Sequence, residues 1–162
     1  NDDIIRIYNC KSGKLLKVLK SHSNAVLDLF FSNDDKFLIS GSGDKTAKIW
    51  SVENNFALSD TLVSHTNHVY ATKIIKKGKN YFAITAGYDN KIALYDMGAK
   101  RVIKSHILPY KLKYLATNKK HIAVCGFGKE IKIYDYNLNL IKTIKSKTKP
   151  SGLAYSRDGR FL

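Results

Sequence analysis

The sequence predicts an all-β chain assembled from one repeated unit, and the first observation behind this prediction is a recurring cassette of a turn and a strand. The cassette runs from an acidic turn residue to an aromatic residue six positions later, and it occurs as Asp2–Tyr8, Asp44–Trp50 and Asp89–Tyr95. A fourth copy, Gly128–Tyr134, keeps the interval without the acid. The closing aromatics recur at intervals of 42, 45 and 39 residues. Within each copy, strand-favouring residues follow the polar turn, which indicates β-structure.

A second series of residues repeats in the same phase. His22, His65 and His106 each follow a serine, and they are 43 and 41 residues apart. Pro109 and Pro150 are also 41 residues apart, and each precedes an apolar strand pattern. A unit of about 40–45 residues, with four short strands between a histidine and an aromatic, is typical of the blades of a β-propeller. The chain is therefore predicted to be an array of such blades.

On these residues the chain resembles the WD40-repeat β-propellers over essentially its whole length. The closest copy runs from Ser21-His22 to Trp50-Ser51, where Ser-His stands for the usual Gly-His and Trp-Ser for the usual Trp-Asp. Propellers have four to eight blades, and the resemblance implies a larger ring. We therefore expect a propeller sector of about three complete four-stranded antiparallel blades, with partial blades at both ends.

The predicted segments follow from the phase of the repeats. Residues 1–20 are the end of one blade, residues 21–63, 64–105 and 106–146 are complete blades, and residues 147–162 hold the first-strand remnant of the next. Clusters of turn residues, such as Ser12-Gly13 and Asn33-Asp34-Asp35, separate the strands. The first strand of each blade is expected to be innermost. The predicted strands are Ile4–Asn9, Lys14–Lys20, Val26–Ser32, Phe37–Ser40, one ending at Trp50, Phe56–Val63, Val69–Ile75, Tyr81–Thr85, Lys91–Asp96, Lys100–Lys104, Leu112–Ala116, His121–Cys125, Glu130–Tyr136 and Leu140–Ile144.

The resemblance implies a hydrogen-bonded structural network inside each blade, made by a loop His, a strand Ser or Thr, a turn Asp and the Trp. Such a network keeps buried polar groups paired. In the third blade His106 would face Val124 and Gly128, so no network is expected there. The members carried over by position are His22, Ser40, Asp44 and Trp50 in the first blade, and His65, Thr85, Asp89 and Tyr95 in the second, where tyrosine replaces tryptophan.

Three groups of residues could be taken for a phosphate, metal or catalytic site, and in each case the repeat pattern favours a structural role instead. Asp44-Lys45-Thr46 is similar to a phosphorylated-aspartate motif and to a phosphate loop, but each motif lacks a required glycine here. His65 and His68 could hold zinc, but no further ligand pair accompanies them. No Ser, His and acid combination stands outside the repeats. We therefore expect no enzyme activity, no cofactor and no metal.

Composition limits the remaining possibilities. The chain has 162 residues and a formal net charge of +15, with 28 basic and 13 acidic residues. Lys supplies most of the positive charge, whereas Arg is the residue that base and phosphate readers prefer. The charge can therefore reflect either a basic face or surface composition alone. Cys10 and Cys125 are expected to be small buried residues in a reducing compartment, and no membrane segment is predicted.

Two surfaces are candidates for binding. The loops before the first and third strands should meet at one end of the propeller and form a partner-binding rim of Asn24, Lys45, Asn67, Tyr88, Tyr110 and Phe127. The turns at the opposite end should form a basic face with Asp34 and Asp35 as its only acids, and its main members are Lys76, Lys77, Lys79, Lys119 and Lys120.

The sequence thus predicts a non-catalytic scaffold that binds other proteins within a multi-subunit complex in the cytoplasm or nucleus. Acidic protein segments are expected partners of its basic surfaces. The alternative is a component of a ribonucleoprotein complex that contacts RNA through Lys-rich loops.

Overall fold

The computed structural model describes residues 2–162, which fold into strands and turns without a helix. Asn1, the first residue of the predicted segment 1–20, lies outside the described residues. The strands are Ile4–Tyr8 (β1), Leu15–Lys20 (β2), Val26–Phe31 (β3), Phe37–Ser42 (β4), Ala47–Ser51 (β5), Ala57–Leu62 (β6), Val69–Lys77 (β7), Asn80–Gly87 (β8), Lys91–Asp96 (β9), Arg101–Ile107 (β10), Leu112–Thr117 (β11), His121–Gly126 (β12), Glu130–Asp135 (β13) and Leu140–Lys145 (β14).

The strands form three four-stranded antiparallel sheets and one two-stranded sheet. The four-stranded sheets are β3-β4-β5-β6, β7-β8-β9-β10 and β11-β12-β13-β14, each in chain order, and β1 pairs with β2. First strands of neighbouring sheets lie against each other, β3 against β7 and β7 against β11. The fourth strands are largely exposed. The predicted all-β sector of four-stranded antiparallel blades is thereby confirmed.

The second strands are buried on both faces because neighbouring sheets pack face to face. Ile39 of β4 and Ala83 of β8 share one core, and Ile84 of β8 and Ile122 of β12 share the next. The close approach also explains Gly41. A Cβ at this position would lie 2.9 Å from Thr72 Cγ2 and 2.9 Å from the carbonyl oxygen of Val69. A side chain here would separate the first two sheets.

Every first strand carries a bulge at its second residue. The pairing register shifts around Leu27 in β3, Tyr70 in β7 and Lys113 in β11. These three residues are spaced by 43 positions each. A bulge leaves one residue unpaired and re-aims its side chain. The same local distortion therefore presents residues 27, 70 and 113 at equivalent places in the three sheets.

Two details at the ends of elements differ from the predictions. β10 extends to Ile107, so His106 lies within a strand, paired with Ile92, and not in a loop. Residues 147–162 contain no strand, because Leu153–Tyr155 have no paired strand among residues 2–162. Their turn nevertheless repeats an earlier one: Ser156 N donates to Phe161 O at 3.0 Å, as Ser32 N donates to Phe37 O at 2.8 Å.

Only one of the two cysteines is buried, whereas the sequence predicts that both are. Cys125 is buried in β12 as expected, and burial raises the pKa of its thiol to about 11. Cys10 is exposed, because it lies in the turn that connects β1 and β2, beyond the last paired residues, Tyr8 and Leu15. Among residues 2–162 there is no helix with the length and apolar character needed to cross a bilayer.

Candidate functional site

The first blade contains a continuous chain of hydrogen bonds between four side chains. The Trp50 indole Nε1–H donates to Ser40 Oγ at 3.0 Å, and Ser40 Oγ lies 2.8 Å from His22 Nε2. His22 Nδ1 lies 2.6 Å from Asp44 Oδ2. The amide of Ser23 also donates to Asp44 at 3.1 Å. The loop before β3, the second strand and the turn before β5 are thus tied together.

A neutral His22 satisfies every group in this chain. With its proton on Nδ1, the ring donates to Asp44 and its Nε2 accepts from the Ser40 hydroxyl, which in turn accepts from Trp50. Burial outweighs the neighbouring carboxylate and lowers the pKa of His22 below its ordinary value. Burial opposes ionisation of Asp44 too, but hydrogen bonds from Thr46 and His22 prevail and hold the pKa of Asp44 at about 2.

The second blade repeats the loop and turn contacts but ends differently. His65 Nδ1 lies 2.9 Å from Asp89 Oδ1, and His65 Nε2 lies 2.7 Å from Thr85 Oγ1. Tyr95 occupies the place of the tryptophan, but its hydroxyl donates to Asp60 Oδ2 of β6 at 2.6 Å. The tyrosine therefore links the second sheet to the first and does not close the network within its own blade.

The third blade has apolar side chains where the first two have the network. The spacing of 43 residues between bulges aligns His22 and His65 with Leu108, which is buried, and not with His106. Val124 takes the place of Ser40 and Thr85. His106 instead stacks on Tyr134 at 5.7 Å and contacts the carbonyl of Leu138 at 2.9 Å. The histidine series is therefore out of register in its third copy.

An aromatic cluster lies where the loops before the first strands meet the turns before the third strands. Tyr88 stacks on Tyr70 with ring centroids 4.0 Å apart and meets Phe127 edge-on at 5.4 Å. His68, in the loop before β7, also stacks on Tyr88, with ring centroids 6.3 Å apart. Burial and the neighbouring Tyr70 raise the pKa of Tyr88 to about 12. Phe127 is the exposed member, with 44% of its surface accessible.

Three lysine ammonium groups lie over these rings. Lys111 Nζ is 5.2 Å from the centroid of Tyr88, Lys113 Nζ is 5.9 Å from that of Tyr70, and Lys149 Nζ is 5.8 Å from that of Phe127. These distances allow cation–π attraction. We call the set of His68, Tyr70, Tyr88, Phe127, Lys111, Lys113 and Lys149 the aromatic–lysine cluster. It offers apolar ring surface and positive charge side by side.

The other residues of the predicted rim lie around this cluster or away from it. Tyr110 is half-buried, and its hydroxyl donates to Glu130 at 2.9 Å. The side-chain oxygen of Asn67 accepts a hydrogen bond of 2.8 Å from the backbone amide of His68. Asn24 and Lys45 are exposed in the first blade. Within residues 2–162, no aromatic or cation–π contact joins either of them to the cluster.

The lysines of the predicted basic face are exposed, but the turns that carry them are less uniformly positive than expected. Glu53 in the turn after β5 pairs with Lys36 at 2.9 Å, so Asp34 and Asp35 are not its only acids. Lys76 Nζ lies 2.9 Å from Asp34, whose pKa is held well below its usual range by bonds from Tyr81 and Lys76. Lys77, Lys79, Lys119 and Lys120 are exposed.

No group of three or more His, Cys, Asp or Glu side chains comes together among residues 2–162 in a way that would hold a metal ion. His65, one half of the zinc pair that the sequence could suggest, uses both ring nitrogens within the protein. His68 lies against Tyr70 and Tyr88.

The sequence predicts Tyr88 and Phe127 as rim residues but does not predict their partners in the cluster. It predicts Tyr70 and Lys113 only as members of first strands, whereas both are bulge residues. The signal available was their 43-residue spacing from each other and from Leu27. Lys149 had no such signal, because it reaches Phe127 from the irregular segment after β14.

Four-stranded sheets that carry His–Asp pairs in matching loops define a sector of a WD40-type propeller, and the comparisons with known proteins agree. Residues 13–51 match the WD40 family model, described as WD domain, G-beta repeat. The resemblance to the WD40-repeat proteins is thereby confirmed at the level of the family.

Relatives are similar over larger parts of the chain. Protein ROOT INITIATION DEFECTIVE 3 of Arabidopsis thaliana is 26% identical, across 98% of this chain and 40% of the relative. Nuclear distribution protein PAC1 of Komagataella phaffii is 31% identical, across 87% of this chain and 30% of the relative. Pre-mRNA-processing factor 19 of Oryza sativa subsp. japonica is 38% identical, across 56% of this chain and 17% of the relative. The chain spans less than half the length of each of these proteins.

Proposed function

We propose that this chain is a non-catalytic scaffold that binds an acidic protein segment at the aromatic–lysine cluster, as part of a larger assembly in the cytoplasm or nucleus. The observation that supports this function is the contact between exposed Phe127 and Tyr88 beneath lysine ammonium groups. Aromatic residues are enriched among the residues that dominate binding energy at interfaces. An apolar anchor on the partner would cover Phe127, and carboxylates beside it would approach the lysines.

The lysines of the cluster are available for such a partner. Within residues 2–162, none of the ion pairs uses Lys111, Lys113 or Lys149. Their attraction to the ring faces is weak at an exposed site, about 0.5–1 kcal/mol. A carboxylate can therefore compete for the ammonium groups without breaking an existing ion pair.

The fold holds the cluster in place before a partner arrives. Tyr88 N donates to His68 O at 2.9 Å, and Phe127 N donates to Lys111 O at 2.9 Å. The bulges fix Tyr70 and Lys113 on the first strands. Because the backbone around the cluster is already ordered before binding, the entropic cost of association is small. This rigid display is the mechanism we propose for the scaffold.

A ribonucleoprotein component is the second candidate function. It is supported by the net charge of +15 and by the rice relative, which is named a pre-mRNA-processing factor. RNA would contact the protein through phosphates at the exposed turns, and such contacts carry little sequence information. The ion pairs of Lys36 and Lys76 at these turns reduce the charge that is free for this purpose.

The test is a binding titration with two fluorescent probes, a peptide rich in Asp and Glu with one Leu anchor and a 20-nucleotide poly(U) RNA. The Phe127→Ser variant should weaken peptide binding by about tenfold or more, as expected for an anchor residue. Lys142→Ser, an exposed lysine on β14, is the matched control and should change nothing. Equal peptide affinity of Phe127→Ser and the unaltered protein would overturn the proposal. Poly(U) binding that is tighter than peptide binding at low salt and falls steeply as salt is added would favour the second candidate.

A further inference from the structure

A cavity of about 750 Å³ lies apart from the aromatic–lysine cluster, between the third blade and the segment that follows it. Its walls are the turn between β11 and β12, residues 117–121, and the turn-forming segment 153–160. Phe30 of β3 and Lys73 of β7 also line it. The volume falls within the range of about 300–1,000 Å³ that is usual for small-molecule sites.

Lys73 is the unusual residue of this cavity. Its ammonium lies 4.4 Å from the ring centroid of Phe30, and within residues 2–162 it has no hydrogen-bond or ion-pair partner. Asp28 is its nearby carboxylate, but Asp28 Oδ2 already accepts from Thr72 N at 2.7 Å and Thr72 Oγ1 at 3.1 Å. Burial lowers the pKa of Lys73. A partly buried ammonium without an acceptor is costly unless an anion approaches it.

Most of the other charged side chains that line the cavity are also positive. Lys119, Lys120 and Arg157 are exposed along it, and none of them forms an ion pair within residues 2–162. The one carboxylate of the wall belongs to Asp158, which accepts from Arg160 Nε at 2.6 Å and from Ser156 Oγ at 2.7 Å. The negative charge of the wall is therefore already neutralised, while at least three cationic groups remain free.

We propose that this cavity binds a compact polyphosphate anion, with Lys73 at its inner wall and Lys120 and Arg157 at its mouth. Lysine binds phosphate as a point charge and arginine as a fork of donors, so the set suits several phosphoryl groups at once. Lys73 is partly buried whereas Lys119, Lys120 and Arg157 are exposed, and this favours a small anion, because the backbone of a nucleic acid would reach the exposed side chains first. This site is separate from the proposed docking of an acidic protein segment.

The experiment is calorimetric titration of the complete protein with inorganic triphosphate at constant ionic strength. Lys73→Met keeps most of the side-chain stem and removes the charge, and it should weaken triphosphate binding by about tenfold or more. Lys142→Met on β14 is the matched control and should bind like the unaltered protein. Triphosphate affinity that is the same in Lys73→Met and in the control would overturn the proposal.

A second variant tests the site independently, in case Lys73→Met fails to fold. The double variant Lys120→Ser and Arg157→Ser changes only exposed side chains, so it should fold normally and still lose about tenfold in triphosphate affinity. Triphosphate should also raise the unfolding temperature of the unaltered protein, as any ligand of the folded state does. Complete competition by an equal charge concentration of sulfate, or binding of poly(U) RNA with no binding of triphosphate, would refute a polyphosphate site.

Discussion

The hydroxyl of Tyr95 donates a hydrogen bond of 2.6 Å to Asp60 Oδ2, and this bond joins the second blade to the outer strand of the first. In the first blade the equivalent residue, Trp50, donates to Ser40 within its own sheet. The exchange of tryptophan for tyrosine therefore turns a bond within a blade into a bond between blades. Burial, and then the bond to Asp60, raise the pKa of Tyr95.

The Tyr95→Phe variant should lower the free energy of unfolding by about 1.5–3 kcal/mol, because it removes the donor to Asp60 Oδ2 and leaves this half-buried carboxylate with the bond from Thr61 N to Oδ1. Chemical denaturation monitored by circular dichroism measures this change. Tyr8→Phe is the matched control, since Tyr8 is 52% exposed and should tolerate loss of its hydroxyl. Equal losses in the two variants would show that the bond between the blades contributes nothing.

The Asp44→Ala variant should destabilise the protein by about 1–3 kcal/mol, because Asp44 accepts bonds from His22, Ser23 and Thr46. Its side chain is only 7% exposed, so water cannot replace these bonds well. The measurement is urea denaturation, with Asp3→Ala at an exposed position as the control. A change of less than about 0.5 kcal/mol would mean that the network adds no net stability.

Stability should fall as the pH falls from about 7 to 5. Burial lowers the pKa of both His22 and His65 below the ordinary value of 6.5, so the folded state prefers the neutral rings. The stabilisation is present above pH 6.5 and is lost as the solution becomes more acidic, by up to about 1.4 kcal/mol per pH unit for each histidine. Asp44 adds a second loss between about pH 4 and pH 2, because its pKa of about 2 lies below the ordinary 3.8.

Urea denaturation at several pH values between 8 and 5 measures this dependence. The double variant His22→Gln and His65→Gln should be less stable at pH 8 and should show a flatter pH profile. If stability instead rises from pH 8 to pH 6, protonated His–Asp ion pairs dominate and the assignment of neutral rings is wrong.

Gly128→Asp would restore the turn acid of the cassette, and from the sequence alone this change is predicted to be harmless. The structure contradicts that prediction, because a Cβ at position 128 would overlap the ring of Tyr110. Tyr110 is held by its bond to Glu130. We now expect Gly128→Asp to destabilise the protein and to displace Tyr110. Thermal unfolding measures the loss, and the double variant with Tyr110→Ala should recover part of it.

The repeat period made the strands and two of the hydrogen-bonded networks predictable, since His22, Asp44, His65 and Asp89 recur with fixed spacing. It failed at His106, where a chance Ser-His pair lies two residues before the equivalent position, Leu108. Contacts between blades could not be predicted, because they depend on side chains that are not repeated from blade to blade. The hydrogen bond from Tyr95 to Asp60 is one such contact, and the cation–π contact of Lys149 with Phe127 is another.

A triple lysine variant at the basic face separates the two candidate functions. Changing Lys76, Lys77 and Lys79 together to Ser should leave the affinity for the acidic peptide within about twofold, because these exposed lysines are not part of the aromatic–lysine cluster. The fold should persist, since Asp34 keeps its hydrogen bonds from the hydroxyls of Tyr81 and Ser32. Fluorescence anisotropy at several salt concentrations measures the affinity and its dependence on salt. A tenfold weakening of peptide binding would place the docking surface at the wrong end of the propeller. If poly(U) binds through these lysines, the slope of log affinity against log salt concentration should flatten in the triple variant, by about 0.7 for each phosphate that is no longer neutralised. Such a flattening would favour the ribonucleoprotein function over the protein scaffold.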